Sequence, residues 1–188
     1  MLAAVALASC KKTPMEVTSA EKRGRTTKDA DVKLFATADE QFRGSPAASL
    51  ADAPPAHWLQ RPASQFRMLN YAFGSSGKGE VYVSKSQGSV LDNVNRWRKQ
   101  FALQELNAQE LSALPQYPLL GTEAVMLEAE GAYSGGMGKP PVDGYALAGM
   151  VAKVENDIVT IKMVGPKDEV ESEKSRLADY AKSLKSNE

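Results

Sequence analysis

The residues in this chain best suited to binding chemistry lie close together in the stretch NVNRWRKQ, residues 93–100. Arg96 offers five fixed N–H donors and can grip a carboxylate or a phosphate with two of them at once. Asn93, Asn95 and Gln100 add amides that both donate and accept. At helical spacing Asn93, Arg96 and Gln100 share one stripe, and Asp92 stands four positions before Arg96 as an internal ion partner. Asparagine inside a helix costs several tenths of a kcal/mol against alanine, so bonding of Asn93 and Asn95 to a neighbouring loop is the expected compensation. With Lys139 in the loop SGGMGKPPVDG, residues 134–144, the stripe is expected to frame a surface for a partner or an anionic ligand. The competing reading makes the stripe purely structural.

Other chemistries are poorly supplied. The only histidine is His57, beside Trp58 in a proline-flanked stretch, which suits a surface or packing residue better than the base of a nucleophilic triad. Cys10 is the only cysteine, so neither an internal disulfide nor a multi-cysteine zinc site can form. Metal ligation would fall to carboxylates alone, and those at Glu128, Glu130 and residues 168–173 read as solvated; no metal and no cofactor is expected. Gly135, Gly136 and Gly138 before Lys139 invite a phosphate reading, but Tyr133 stands where a P-loop needs its first glycine, and Pro140 replaces its hydroxyl residue. The loop therefore reads as a connection between strands. A formal net charge of +0, from 23 basic and 23 acidic residues, gives no general reason to hold nucleic acid.

Elements that would position these groups follow from periodicity. In residues 88–101 the apolar side chains Val90, Leu91, Val94, Trp97 and Phe101 line one helical face, and Ser89 with Asp92 makes a capping box. Residues 66–73 and 80–84 alternate around the turn GSSGKG and read as a hairpin with Val81 and Val83 on one face. Residues 106–114 form a shorter helix stopped by Pro115. Residues 122–133, 145–155 and 157–165 read as three further strands in an antiparallel meander. The last helix has Pro166 at its first position, Asp168 and Glu169 at its positive end, Lys182 and Lys185 at its negative end, and an apolar face of Val170, Leu177, Tyr180, Ala181 and Leu184. The fold class is α+β: an antiparallel sheet of about five strands packed with helices.

The N-terminal residues MLAAVALASC form a short apolar run closing on Cys10. Leu7, Ala8, Ser9 and Cys10 resemble the lipobox of bacterial lipoproteins, which implies that Cys10 carries the lipid and that residues 1–10 are a signal, cut short at its basic front. By the same resemblance Lys11 favours the outer membrane. Residues 11–55 read as a tether with a root-mean-square span of about 35 Å, in which residues 31–42 could dock on the domain. Residues 56–188 form the globular domain. No run of about 18 apolar residues exists to span a membrane.

NVNRWRKQF after the strand pattern EVYVS resembles a segment of uncharacterised bacterial lipoproteins. The ending IVTIKMVGPKDEVESEKSRLADYAKSL, a strand, then Gly-Pro, then a helix, is similar to the end of PsbP-like domains. The resemblance covers residues 56–184 and implies an α/β/α sandwich on a lipid anchor, with no activity attached. The expected function is a non-enzymatic binding or accessory domain at the cell envelope, with the membrane and an envelope protein as partners. The alternative is a carboxylate-based hydrolase or other enzyme, which requires Asp92, Glu128, Glu130 and Asp143 to converge.

Overall fold

The computed structural model describes residues 50–64, 66–136 and 140–187. Cys10, the signal, most of the tether with residues 31–42, and Lys139 lie outside the described residues.

The chain builds strands β1 (Leu50–Ala51), β2 (Leu59–Gln60), β3 (Leu69–Phe73) and β4 (Gly79–Ser86), then helices α1 (Val90–Lys99) and α2 (Ala108–Ser112). Strands β5 (Gln116–Leu119), β6 (Thr122–Tyr133), β7 (Val142–Val154) and β8 (Asp157–Pro166) follow, then α3 (Lys167–Ser183) and β9 (Lys185–Ser186). The main sheet is antiparallel and has seven strands in the order β2-β3-β4-β8-β7-β6-β5. It exceeds the five strands expected because β2 and β5 are too short to show any alternation in sequence. β1 and β9 pair separately. Leu50 is already buried, and Asp52 accepts hydrogen bonds from the hydroxyls of Tyr71 at 2.7 Å and Tyr180 at 2.8 Å, so the packed domain begins ahead of residue 56.

Both faces of the sheet are covered, which is why β8 is buried along nearly its whole length. One face carries Phe73, Val81, Val83, Met150, Ile161 and Met163 against Val170, Leu177 and Tyr180 of α3. The other carries Leu127, Leu147, Val151 and Val164 against Val94 and Trp97 of α1 and Phe101 just beyond its end. Pro166 is the residue before the first turn of α3, one step ahead of the position expected, because its ψ of 135° is still extended. The turn between β3 and β4 uses positive φ at Gly74 and Gly77, and the Glu169 carboxylate at the start of α3 clamps it by accepting from the Ser76 amide at 2.8 Å and hydroxyl at 2.9 Å. No helix among the described residues is long and apolar enough to cross a membrane.

Candidate functional site

On the α1 side of the sheet, polar residues interrupt an otherwise apolar surface. Pairing of β4 with β8 sets Tyr82 opposite Lys162 and Ser84 opposite Thr160, and alternation points these side chains away from α3. The neighbouring helix supplies Arg96, Trp97 and Gln100, and Arg67 comes from the segment before β3. Together they line a cleft of about 500 Å³.

Lys162 is the centre of this arrangement. It is 1% exposed; its ammonium donates to Gln100 Oε1 at 2.6 Å and to the Tyr133 hydroxyl at 3.2 Å, and it lies 5.1 Å from the Tyr133 ring centroid. Burial, then the nearby charges of Arg96 and Arg67, hold its pKa down to about 7 against a weaker opposing pull from Glu80. Burial pushes the Tyr133 hydroxyl up to about 12. Arg67 pairs with Glu80 at 3.2 Å and stacks 4.0 Å over the Tyr82 ring. Among the described residues no carboxylate forms an ion pair with Lys162 or Arg96.

The expected stripe on α1 is split by the structure. Ser89 and Asp92 do form the capping box. Asp92 Oδ2 accepts from the Ser89 amide at 2.9 Å and hydroxyl at 2.7 Å, so its carboxylate is committed to the cap and does not pair with Arg96. Those bonds lower the Asp92 pKa. Asn93 is 1% exposed and does not face outward. Its Nδ2 donates to the carbonyls of Gln87 at 3.0 Å and Ser89 at 2.8 Å, and its Oδ1 accepts from Ser86 Oγ at 2.8 Å and Arg96 Nη2 at 2.6 Å. The reason is rotational: Asn93 directly precedes Val94 and turns with it toward the sheet, as the end of β4 demands polar partners there. Asn95 makes the expected loop contact, donating to the Leu106 carbonyl at 2.9 Å and accepting from its amide at 2.8 Å, which fixes the α1–α2 connection. Only Arg96 and Gln100 of the stripe reach the cleft. Residue 134, where the glycine-rich loop begins, donates its amide to the Gln100 carbonyl at 2.8 Å, so this end of the loop is tied to α1.

Asn93→Ala is therefore expected to lower stability by about 2–3 kcal/mol in urea unfolding, because it removes a buried side chain that makes four hydrogen bonds. An outward-facing asparagine would change it by less than about 0.5 kcal/mol.

The carboxylates required by the enzymatic alternative are divided. Glu128 pairs with Lys174 and Glu130 with Lys167, each at 2.7 Å; Asp92 serves the cap, and Asp143 is exposed. Among the described residues no group of His, Cys, Asp and Glu is placed to hold a metal ion. His57 sits on the α3 side, 2.9 Å from Glu173, which also accepts from the Trp58 indole at 3.0 Å. Burial works against the Glu173 charge, and the bonds from Trp58 and His57 with the His57 and Arg176 charges outweigh it, lowering its pKa.

Lys162, Arg67 and Tyr82, with Phe66, Ser84 and Thr160, are cleft residues missed from sequence. For Lys162 a signal was present: in DIVTIKMVG a lysine stands between Ile161 and Met163 in a strand too apolar to be half-solvated, two positions from Thr160.

No protein-family model matches the chain, and no curated protein is similar to it. Solved structures do align with it. A protein of Bacteroides thetaiotaomicron aligns with a TM-score of 0.43 and 13% identity over 77% of this chain, which spans only 47% of that protein. The cyanobacterial PsbP protein of Synechocystis aligns at 0.44 and 15% identity over 77% of this chain and 96% of its own. LpqN of Mycobacterium tuberculosis, a protein involved in cell envelope biogenesis, aligns at 0.42 and 15% identity over 79% and 96%.

Proposed function

We propose that this protein is a binding domain of the cell envelope, lipid-anchored through Cys10 and tethered by the residues that follow it, that works as an accessory factor and engages its partner through the cleft beside α1. The observation that carries the binding reading is the cation excess there: Lys162 and Arg96 have no carboxylate partner among the described residues, and Arg67 shares the cleft with them. Charge of one sign in a concave, partly dry site attracts the opposite charge more strongly than the same residues would on an open surface. The anchor rests on the match of Leu7, Ala8, Ser9 and Cys10 to a lipobox, and the accessory role on the PsbP-like ending of the sequence; Lys11 points the anchor to the outer membrane.

Capture from envelope fractions tests both parts. Cys10→Ser is expected to abolish palmitate labelling and release the protein from membranes, whereas labelling of the variant at the parent's level removes the anchor from the proposal. Arg96→Ala is expected to weaken partner capture while changing the melting temperature by less than about 2 °C, since Arg96 is exposed and the bond it loses is one of the four on Asn93. Unchanged capture overturns the cleft as the partner surface.

A further inference from the structure

We propose that the α1 cleft binds the oxyanion, a carboxylate or a phosphate, of a small organic molecule that also carries an apolar group; this rests on the binding reading above and specifies its ligand. The donors are in place. A lysine ammonium has three N–H donors, and Gln100 and Tyr133 take two of those on Lys162, which lies at the buried end of the cleft. Arg96 spends one Nη2 donor on Asn93, and the rest of its planar fork remains at the cleft wall. Arg67 is held in position by Glu80 and the Tyr82 ring. The hydroxyls of Ser84 and Thr160, 2.8 Å apart on the cleft floor, can reorient to donate or accept.

An apolar group has its own lining. Trp97, 3% exposed, closes the base, and Phe66, a cleft residue, is 72% exposed, whereas six of the eleven aromatic residues described are buried. A volume of about 500 Å³ suits a small molecule. Burying a cation without a counter-ion is unfavourable, and a bound oxyanion supplies the missing charge.

The groups that face Lys162 are Arg96, Trp97 and Gln100 from α1, Arg67 from the segment before β3, Glu80 and Tyr82 from β4, and Tyr133 from β6. With its pKa near 7, Lys162 is only partly protonated at neutral pH, so binding an anion draws a proton onto the amine. Affinity therefore falls as pH rises from 6 to 9.

Calorimetric titration of the full chain with hexanoate, hexyl phosphate and uncharged hexyl glucoside tests this. Saturable binding of at least one anion is expected, at least about tenfold tighter than the glucoside. The tighter anion distinguishes a carboxylate ligand from a phosphate ligand. Lys162→Met and Arg96→Gln are each expected to weaken anion binding about tenfold or more, with far-ultraviolet circular dichroism confirming that both fold. For hexanoate, whose own charge is constant above pH 6, binding should weaken toward pH 9 in the parent and lose that dependence in Lys162→Met. The proposal is overturned if neither anion binds saturably, if the glucoside binds equally well, or if both variants bind like the parent. Failure of both anions while envelope capture still depends on Arg96 overturns the ligand class and leaves the binding reading standing; anion binding with Arg96-independent capture does the reverse.

Discussion

Lys162→Met is expected to raise the stability of the protein, most strongly at and below neutral pH. The folded-state pKa of Lys162 is about 7, below the ordinary lysine value of 10.5. Between those two values the unfolded chain binds more protons than the folded one, so this residue makes stability rise with pH across that window. Below pH 7 both states are protonated and the full cost of burying the charge is felt. Methionine fills a similar volume and removes that cost. The depression bounds the gain at about 5 kcal/mol, and loss of the bonds to Gln100 and Tyr133 together with partial hydration brings the expected net gain to about 2 kcal/mol. In a domain of this size that is a rise of about 5 °C in melting temperature at pH 6, which falls steadily as the pH is raised to 10. Differential scanning fluorimetry of parent and variant at pH 6, 8 and 10 measures it. A methionine variant that melts below the parent at pH 6 would mean the ammonium is fully satisfied by its protein contacts, and the case for an anion in the cleft would lose its main support.

A side chain that lowers stability and is nonetheless buried at the centre of a cleft is best explained by use, because folding alone would favour an apolar residue there. That logic separates Lys162 from the other buried polar residues. Asn93 has four bonds and holds the start of α1 to the end of β4. Glu173 is satisfied by Trp58 and His57, and joins α3 to the segment before β2. Thr160 bonds to Ser84 on the neighbouring strand. Lys162 is bonded too, to Gln100 and Tyr133, but among the described buried polar residues it alone holds a charge with no ion-pair partner.

The helices and long strands were legible because each carries its own period. The apolar face of α1, the box at Ser89 and Asp92, and the bounds of β6 all appear where residue spacing puts them. β2 and β5 were not legible, since strands of so few residues are defined by the neighbour they pair with and not by their own pattern. The site was half legible for a related reason. Arg96 and Gln100 stand out as polar residues on a helix, but their partners come from β4, β8 and the segment before β3, and the crossing that makes β4 a neighbour of β8 is a property of the whole sheet. Asn93 shows the limit of stripe arguments: one position of helix is a turn of 100°, and that was enough to carry it from solvent to a buried junction.

The approach of α1 to the sheet depends on a missing side chain, and adding it back is expected to be costly. Trp97 is 3% exposed and lies over Gly149 of β7, where an added β-carbon would stand 2.5 Å from Trp97 Cζ3 and 3.0 Å from the Ile161 carbonyl. Neither neighbour can yield easily, because the indole is enclosed by the core and the carbonyl belongs to the β7–β8 ladder. Gly149→Ala is therefore expected to destabilise the protein by about 3 kcal/mol through overpacking. Trp97→Ala, which empties the same space, is expected to cost about 3–5 kcal/mol, a large share of the 5–15 kcal/mol typical of a whole domain. The two losses should not add. Once the indole is gone the new methyl group meets open space on that side, so the double variant should be close to Trp97→Ala alone, with a coupling of about 3 kcal/mol. Urea unfolding of the parent, both single variants and the double variant measures the cycle. Strict additivity would show that the glycine is required by the strand backbone and not by the ring above it, and the account of how α1 is seated would have to be given up.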